Sequence, residues 1–301
     1  MALTPTVLAL SAFVGAGVLA LCASRVAQRV GAIDDGSDAP ARKRQRAPVP
    51  LIGGFAIAGS AALALALDGG AWHRAWPAIL CAFAVGFVDD VTPRGLSAGW
   101  KLAGQAVAGI VLAVLAPDAG PVERAGFVLA AVAAQNALNT FDNADGAAVV
   151  LSACGLAFGA PPFAPAWAAA CAGFLPFNLR PRPSSARAYL GDSGSHALGL
   201  VLLCTPAGRA ALLLPLLDLA RVAIVRWRAG QAPWTGDLRH LAHRFQRCGL
   251  GPFATVLALV VIALPAIVGA GWWGSATAVW SGARATALLF GVAVGATRAG
   301  A

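Results

Sequence analysis

The chain has 301 residues, of which 58% are hydrophobic and 12% charged, against about 25% charged in an ordinary soluble domain. That shortage of polar surface excludes a water-solvated globular enzyme. The net charge of +9 sits in a few short loops and forms no aromatic-plus-basic surface long enough to follow a polynucleotide, which excludes nucleic acid as a partner.

A run of ~18 apolar residues crosses a bilayer as a helix. Apolar segments are expected at 6–23, 50–67, 77–88, 101–115, 125–139, 146–160, 165–177, 191–205, 210–225, 253–273 and 276–294. They predict an all-α, polytopic membrane bundle of ten or eleven transmembrane helices, one integral membrane domain over 1–301. Several are short, which burial within a bundle tolerates, and Arg284 interrupts the last. The first run lacks a basic segment before it and has its positive charges after it, so it reads as a retained helix rather than a signal peptide. The six cysteines form no CxxC pair; they read as small buried hydrophobes and not as a zinc site.

Lysine and arginine set the orientation. Arg25, Arg29, Arg42, Lys43, Arg44 and Arg46 crowd the first loop, Arg94 and Lys101 the third, Arg180, Arg182 and Arg187 the seventh, and Arg226, Arg228, Arg239, Arg244 and Arg247 the ninth. The positive-inside rule puts these loops in the cytoplasm and the N-terminus outside. Asp89, Asp90, Asp142, Asp145, Asp192, Asp218 and Asp237 then fall at or near one membrane face, although they are remote in sequence.

Five constellations carry chemistry. Gly86-Phe87-Val88-Asp89-Asp90 ends a helix, where the macrodipole disfavours carboxylates, so something cationic is expected to compensate; the plain reading is a solvated loop pair answered by Arg94 and Lys101. Neighbouring side chains diverge by ~100° on a helix, so this pair does not share one metal face to face. Asn136 precedes Asn139, Asp142 and Asp145, whose i, i+3, i+6 spacing fans over ~120° of one helix side. Such oxygen ligands suit Mg²⁺. Gly191-Asp192-Ser193-Gly194-Ser195-His196 opens a helix at the same face. Asp192 reads there as an N-cap, and the same location suits phosphate, because free backbone N–H groups at a helix N-terminus bind anions and glycines allow close approach. Asp218 and Arg221 are followed by Asp237, His240, His243 and Arg244; two histidines alone are a weak metal set, and the arginines alongside fit an anion-holding role. The basic block with Arg42 and Lys43 leads into Pro48, Pro50, Gly53 and Gly54 and attracts lipid headgroups or a lipid phosphate.

In this order, from Arg42 to Gly249, the blocks resemble the polyprenyl-phosphate N-acetylhexosamine-1-phosphate transferases, membrane enzymes of glycosyltransferase family 4. The resemblance implies that a polyprenyl phosphate attacks the β-phosphorus of a UDP-N-acetylhexosamine at the cytoplasmic face of the inner (plasma) membrane. It implies Mg²⁺ as cofactor, with Mn²⁺ as the alternative ion, and release of UMP, the priming step of a cell-envelope polysaccharide. Carried over residue by residue, Asp89, Asp90, Asp142, His240 and His243 match catalytic positions. Lys101, Asn136, Asp145, Arg42, Lys43 and Arg244 match substrate-binding ones, and Asp192, Asn139 and Asp142 match the metal site. The bilayer and a second copy of the chain, as a homodimer, complete the expected partners. The chain departs from the pattern at Gln45, Leu51 and Ala242. A transporter, the rival reading, would show internal repeats and midplane polar sites, which are not seen. A CDP-alcohol phosphotransferase would place Ala-Arg where Val149 and Val150 stand.

Overall fold

The computed structural model describes residues 3–36, 47–68, 74–116, 118–160, 162–181, 186–232 and 236–297. Arg42 and Lys43 lie outside the described residues. The described chain is helical, apart from one two-stranded antiparallel ribbon, β1 (Ile33–Asp34) with β2 (Val49–Pro50).

Helix α1 (Pro5–Val30) starts where the Thr4 hydroxyl accepts the Val7 amide and Pro5 supplies a preset φ at the first turn,. It runs seven residues past the segment expected from hydropathy and buries Ala27 in that extension. Its sidedness is the reverse of a soluble helix. Ala12, Ala16 and Ala20 face the protein, while Leu10, Val14, Val18 and Leu21 are exposed. Small residues let helix backbones approach closely, and the large apolar ones face a solvent as apolar as themselves. Helices α2 (Gly53–Leu67) and α7 (Phe163–Asn178) are the ones packed on this alanine side.

Helices α3 (Trp76–Val91), α4 (Ala98–Val114), α5 (Pro121–Phe141) and α8 (Gly191–Leu203) form the centre. Among the described residues the α3–α8 contact is the most extensive in the molecule, ahead of those of α1 with α7 and α2, and α4–α5 and α5–α8 come next. Helix α6 (Ala147–Ala157) follows α5 after a short turn. The expected segment 210–225 divides into α9 (Pro206–Ala211) and α10 (Leu213–Arg228). Thr205 caps α9, accepting the Gly208 amide at 3.0 Å, so a new helix begins before that segment does. A further helix absent from the expectation, α11 (Leu241–Arg247), follows α10 and leads to α12 (Pro252–Val268), a π turn (Gly269–Trp273) and α13 (Ala276–Ala296).

Helices occupy all eleven expected segments. Three helical stretches are long and apolar enough to cross a membrane, Pro5–Val30, Pro252–Trp273 and Ala276–Ala296, and shorter apolar helices accompany them. Arg284 is exposed on the last. The reading of the cysteines holds for Cys171, which is buried, and fails for Cys22 and Cys248, which are exposed.

Candidate active site at the helix ends

The site grows from one capping problem. The first N–H groups of α8 have no partner within the helix. They are answered by another helix: the Asp90 carboxylate, at the end of α3, accepts the amides of Asp192 at 2.8 Å and Ser193 at 3.0 Å. Gly191 makes this possible, because its φ of +75° lies in the left-handed region that favours glycine, and a Cβ there would stand 2.7 Å from the Asp90 carboxylate,. Gly86 plays a matching part on α3, since any Cβ there would collide with the backbone of Asp192 and Ser193.

With its cap supplied by Asp90, Asp192 is not itself the cap, and its side chain is free for other partners. It accepts from Lys101 Nζ at 2.5 Å and from Asn139 Nδ2 at 2.7 Å. Asn139 Nδ2 also reaches Ser195 Oγ at 3.1 Å. Lys101 Nζ lies 2.9 Å from Asp89 Oδ2, so one ammonium bridges α3 and α8. Asp89 also accepts the Leu96 amide at 2.6 Å, which ties down the turn between α3 and α4. Of the acidic pair, Lys101 therefore answers Asp89, while Asp90 is answered by the α8 amides. The structure brings together Asp89, Asp90, Lys101, Asn139 and Asp192 from four helices.

Asp142 and Asp145 sit in the turn after α5, half-buried. Burial first, and then the carboxylates of Asp145, Asp192 and Asp90, push the Asp142 carboxyl well above the usual range. Burial pushes Asp145 up to about 6. Neither has a hydrogen-bond donor or ion-pair partner among the described residues. Among those residues no three acidic, cysteine or histidine side chains converge as a preformed metal cluster. The donor set nevertheless fits a hard divalent cation: it is all carboxylate and amide oxygen, and two of its carboxylates lack any compensating partner.

One turn from this cluster lies a buried polar chain that the spacing arguments missed. Asn136 Nδ2 donates to Gln105 Oε1 at 2.5 Å, and Gln105 Nε2 lies 3.2 Å from His196 Nε2. Asn136, expected to bind substrate, is thus engaged with α4. Gln105 follows Lys101 by one helical turn and so shares its face, a signal legible in the sequence.

A second cluster gathers around α10. Asp218 Oδ2 lies 2.8 Å from His240 Nδ1, and Arg221 donates to Asp218 Oδ1 at 2.7 Å. Arg226 binds both oxygens of Asp237, at 3.0 and 3.1 Å. Against the pull of partial burial, these bonds from Arg226, with the Arg239 amide, hold the Asp237 carboxyl below its usual range. His240 is buried and His243 half-buried, with Nδ1 3.3 Å from Gln246 Oε1. Arg244, expected at the substrate, is buried and donates to the Val294 carbonyl of α13 at 2.9 Å.

Residues 75–206, which contain the central helices and the carboxylate cluster at their ends, match the model of glycosyl transferase family 4. A Streptomyces coelicolor protein named as a glycosyltransferase is 32% identical, over 95% of this chain and 75% of its own. The decaprenyl-phosphate N-acetylglucosaminephosphotransferase of Mycolicibacterium smegmatis is 30% identical, over 88% of this chain and 81% of its own. The undecaprenyl-phosphate alpha-N-acetylglucosaminyl 1-phosphate transferase of Salmonella typhimurium is 26% identical, over 87% and 81%. With likeness of this extent along almost the whole chain, and the acidic helix ends gathered where the matched segment lies, this protein is an enzyme that belongs to glycosyl transferase family 4.

Proposed function

We propose that this enzyme transfers N-acetylglucosamine 1-phosphate from UDP-N-acetylglucosamine to a polyprenyl phosphate, as a single membrane domain whose site opens to the cytoplasm. The observation that carries the reading is the bonded cluster of Asp89, Lys101, Asn139 and Asp192, beside the uncompensated Asp142 and Asp145. The printed activities of the Mycolicibacterium and Salmonella relatives support it.

In the proposed reaction a phosphate oxygen of the lipid bonds to the β-phosphorus of the UDP-sugar. The P–O bond to the α-phosphate breaks, and UMP leaves with that bond's electron pair. Such transfers need positioning and charge neutralisation more than covalent help. The lipid phosphate is largely ionised at neutral pH, so Asp89 needs only to orient it, through Lys101, and not to deprotonate it. Lys101 offers its ammonium to phosphate oxygens. Asp192, Asp142 and Asp145, with the Asn139 amide, would hold Mg²⁺ or Mn²⁺, which when bound would supply charge neutralisation at the diphosphate. The segment carrying His243 offers cationic and hydrogen-bonding groups to the donor. Purified enzyme in detergent, given radiolabelled UDP-N-acetylglucosamine, undecaprenyl phosphate and Mg²⁺, should yield lipid-linked product and UMP. A panel of UDP-sugars that yields none would sink the proposal.

A further inference from the structure

The sequence pattern treats His240 and His243 as equals, yet the structure separates them. We propose that His240 is a positioning residue, pinned by Asp218, and that it does not touch substrate; this deepens the transferase reading and rests on it. Asp218, 1% exposed on α10, is the hub. Its carboxylate accepts from His240 Nδ1 at 2.8 Å, from Arg221 Nη2 at 2.7 Å and from the Leu241 amide at 3.2 Å, which is the first unpaired N–H of α11,. Arg221 uses the same nitrogen to hold the Arg239 carbonyl at 2.6 Å. Three consecutive residues, 239 to 241, are therefore bound to one turn of α10.

The other ring nitrogen is also committed. His240 Nε2 faces the Arg226 guanidinium at 3.5 Å, and a guanidinium offers only donors,. Nε2 is thus covered by Arg226, and Nδ1 is bonded to Asp218. Arg226 is itself locked on both oxygens of Asp237. At 5% exposure, with one nitrogen bonded and the other covered, His240 has no face to offer a diphosphate. The outward edge of α11 carries His243, Gln246 and Arg247, which retain solvent access. The clamp sets where that edge stands, and so where His243 meets the donor.

The test compares His240→Asn with His240→Ala. An asparagine Nδ2 takes the place of Nδ1 and keeps the donor to Asp218, whereas alanine does not. We expect His240→Ala to raise the donor KM about tenfold or more with little change in the acceptor KM, and His240→Asn to recover most of that loss. Asp218→Ala should move the donor KM the same way by at least as much, since it also releases Arg221 and the Leu241 amide, and the double variant should be no worse than Asp218→Ala, because the two act as one unit. Arg221→Gln, a milder change, should move the donor KM the same way by a smaller factor. Additive losses, or an Asn variant as impaired as the Ala variant while still eluting as folded protein, would overturn the proposal. Trypsin cleavage after Arg239 gives a readout independent of turnover: slow in the native enzyme and the Asn variant, faster in the Ala variants. Equal cleavage in all of them would also overturn it. Native enzyme inactive on every UDP-sugar would instead overturn the transferase reading and leave the cleavage result to judge the clamp.

Discussion

Asp192 holds its charge between the Lys101 ammonium and the Asn139 amide, so both of its oxygens are aimed by neighbours before any ligand arrives. Substituting Asp192→Asn keeps the shape and removes the charge. Activity should fall at least ~100-fold, as when a preorganised electrostatic partner is lost, with unchanged expression and elution. Near-normal turnover would remove Asp192 from the site. Asp145 gives a prediction about pH. Its folded pKa of about 6 lies above the ordinary 3.8, so its ionised form is penalised on folding. Its contribution to stability is fully present below about 3.8 and lost as pH rises through about 6,. In EDTA, Tm should therefore fall between about pH 4 and pH 6,, and Asp145→Asn should flatten that part of the slope. An unchanged slope in the variant would mean that other groups set it.

At the scale of elements, the crossing of α3 on α8 decides whether the cluster exists. Gly86 meets the backbone of Asp192 and Ser193 too closely to admit a methyl group. Gly86→Ala should cost ~1–3 kcal/mol, the range of overpacked cores, and should lower activity further by moving Asp192 relative to Asp89. Thermal unfolding in detergent and turnover measured together check this; a variant with native Tm and native rate would show that the helices can part without consequence. The acidic DD and GDSGS blocks were legible as chemistry in the sequence, but their division of labour was not. Asp90 caps α8 and Asp89 meets Lys101 because adjacent side chains on a helix point ~100° apart, and only the neighbouring helix determines which direction finds which partner.

Over the whole molecule, large apolar side chains face outward from α1, α4, α12 and α13, a surface that water would not tolerate at such extent. Trp100 and Trp227 are exposed on the helices that carry the site, while Trp272, Trp273 and Trp280 are exposed around the α12–α13 turn, as expected of rings at membrane interfaces. The proposed orientation can be read by labelling. In a chain freed of its native cysteines, Ser97→Cys should react with an impermeant thiol reagent only from the cytoplasmic side and Asp118→Cys only from outside. The reverse pattern would invert the topology. Composition alone determined that the chain is helical and bilayer-solvated, because charge density and apolar run length are properties of the sequence itself. The residue types of the site were equally visible. Only the tertiary structure decided that Asp90 is a cap, that Gln105 and His196 join Asn136, and that Arg244 turns to Val294. Hydrogen bonds act over ~3 Å, and no spacing rule within one helix reports what stands that close on the next.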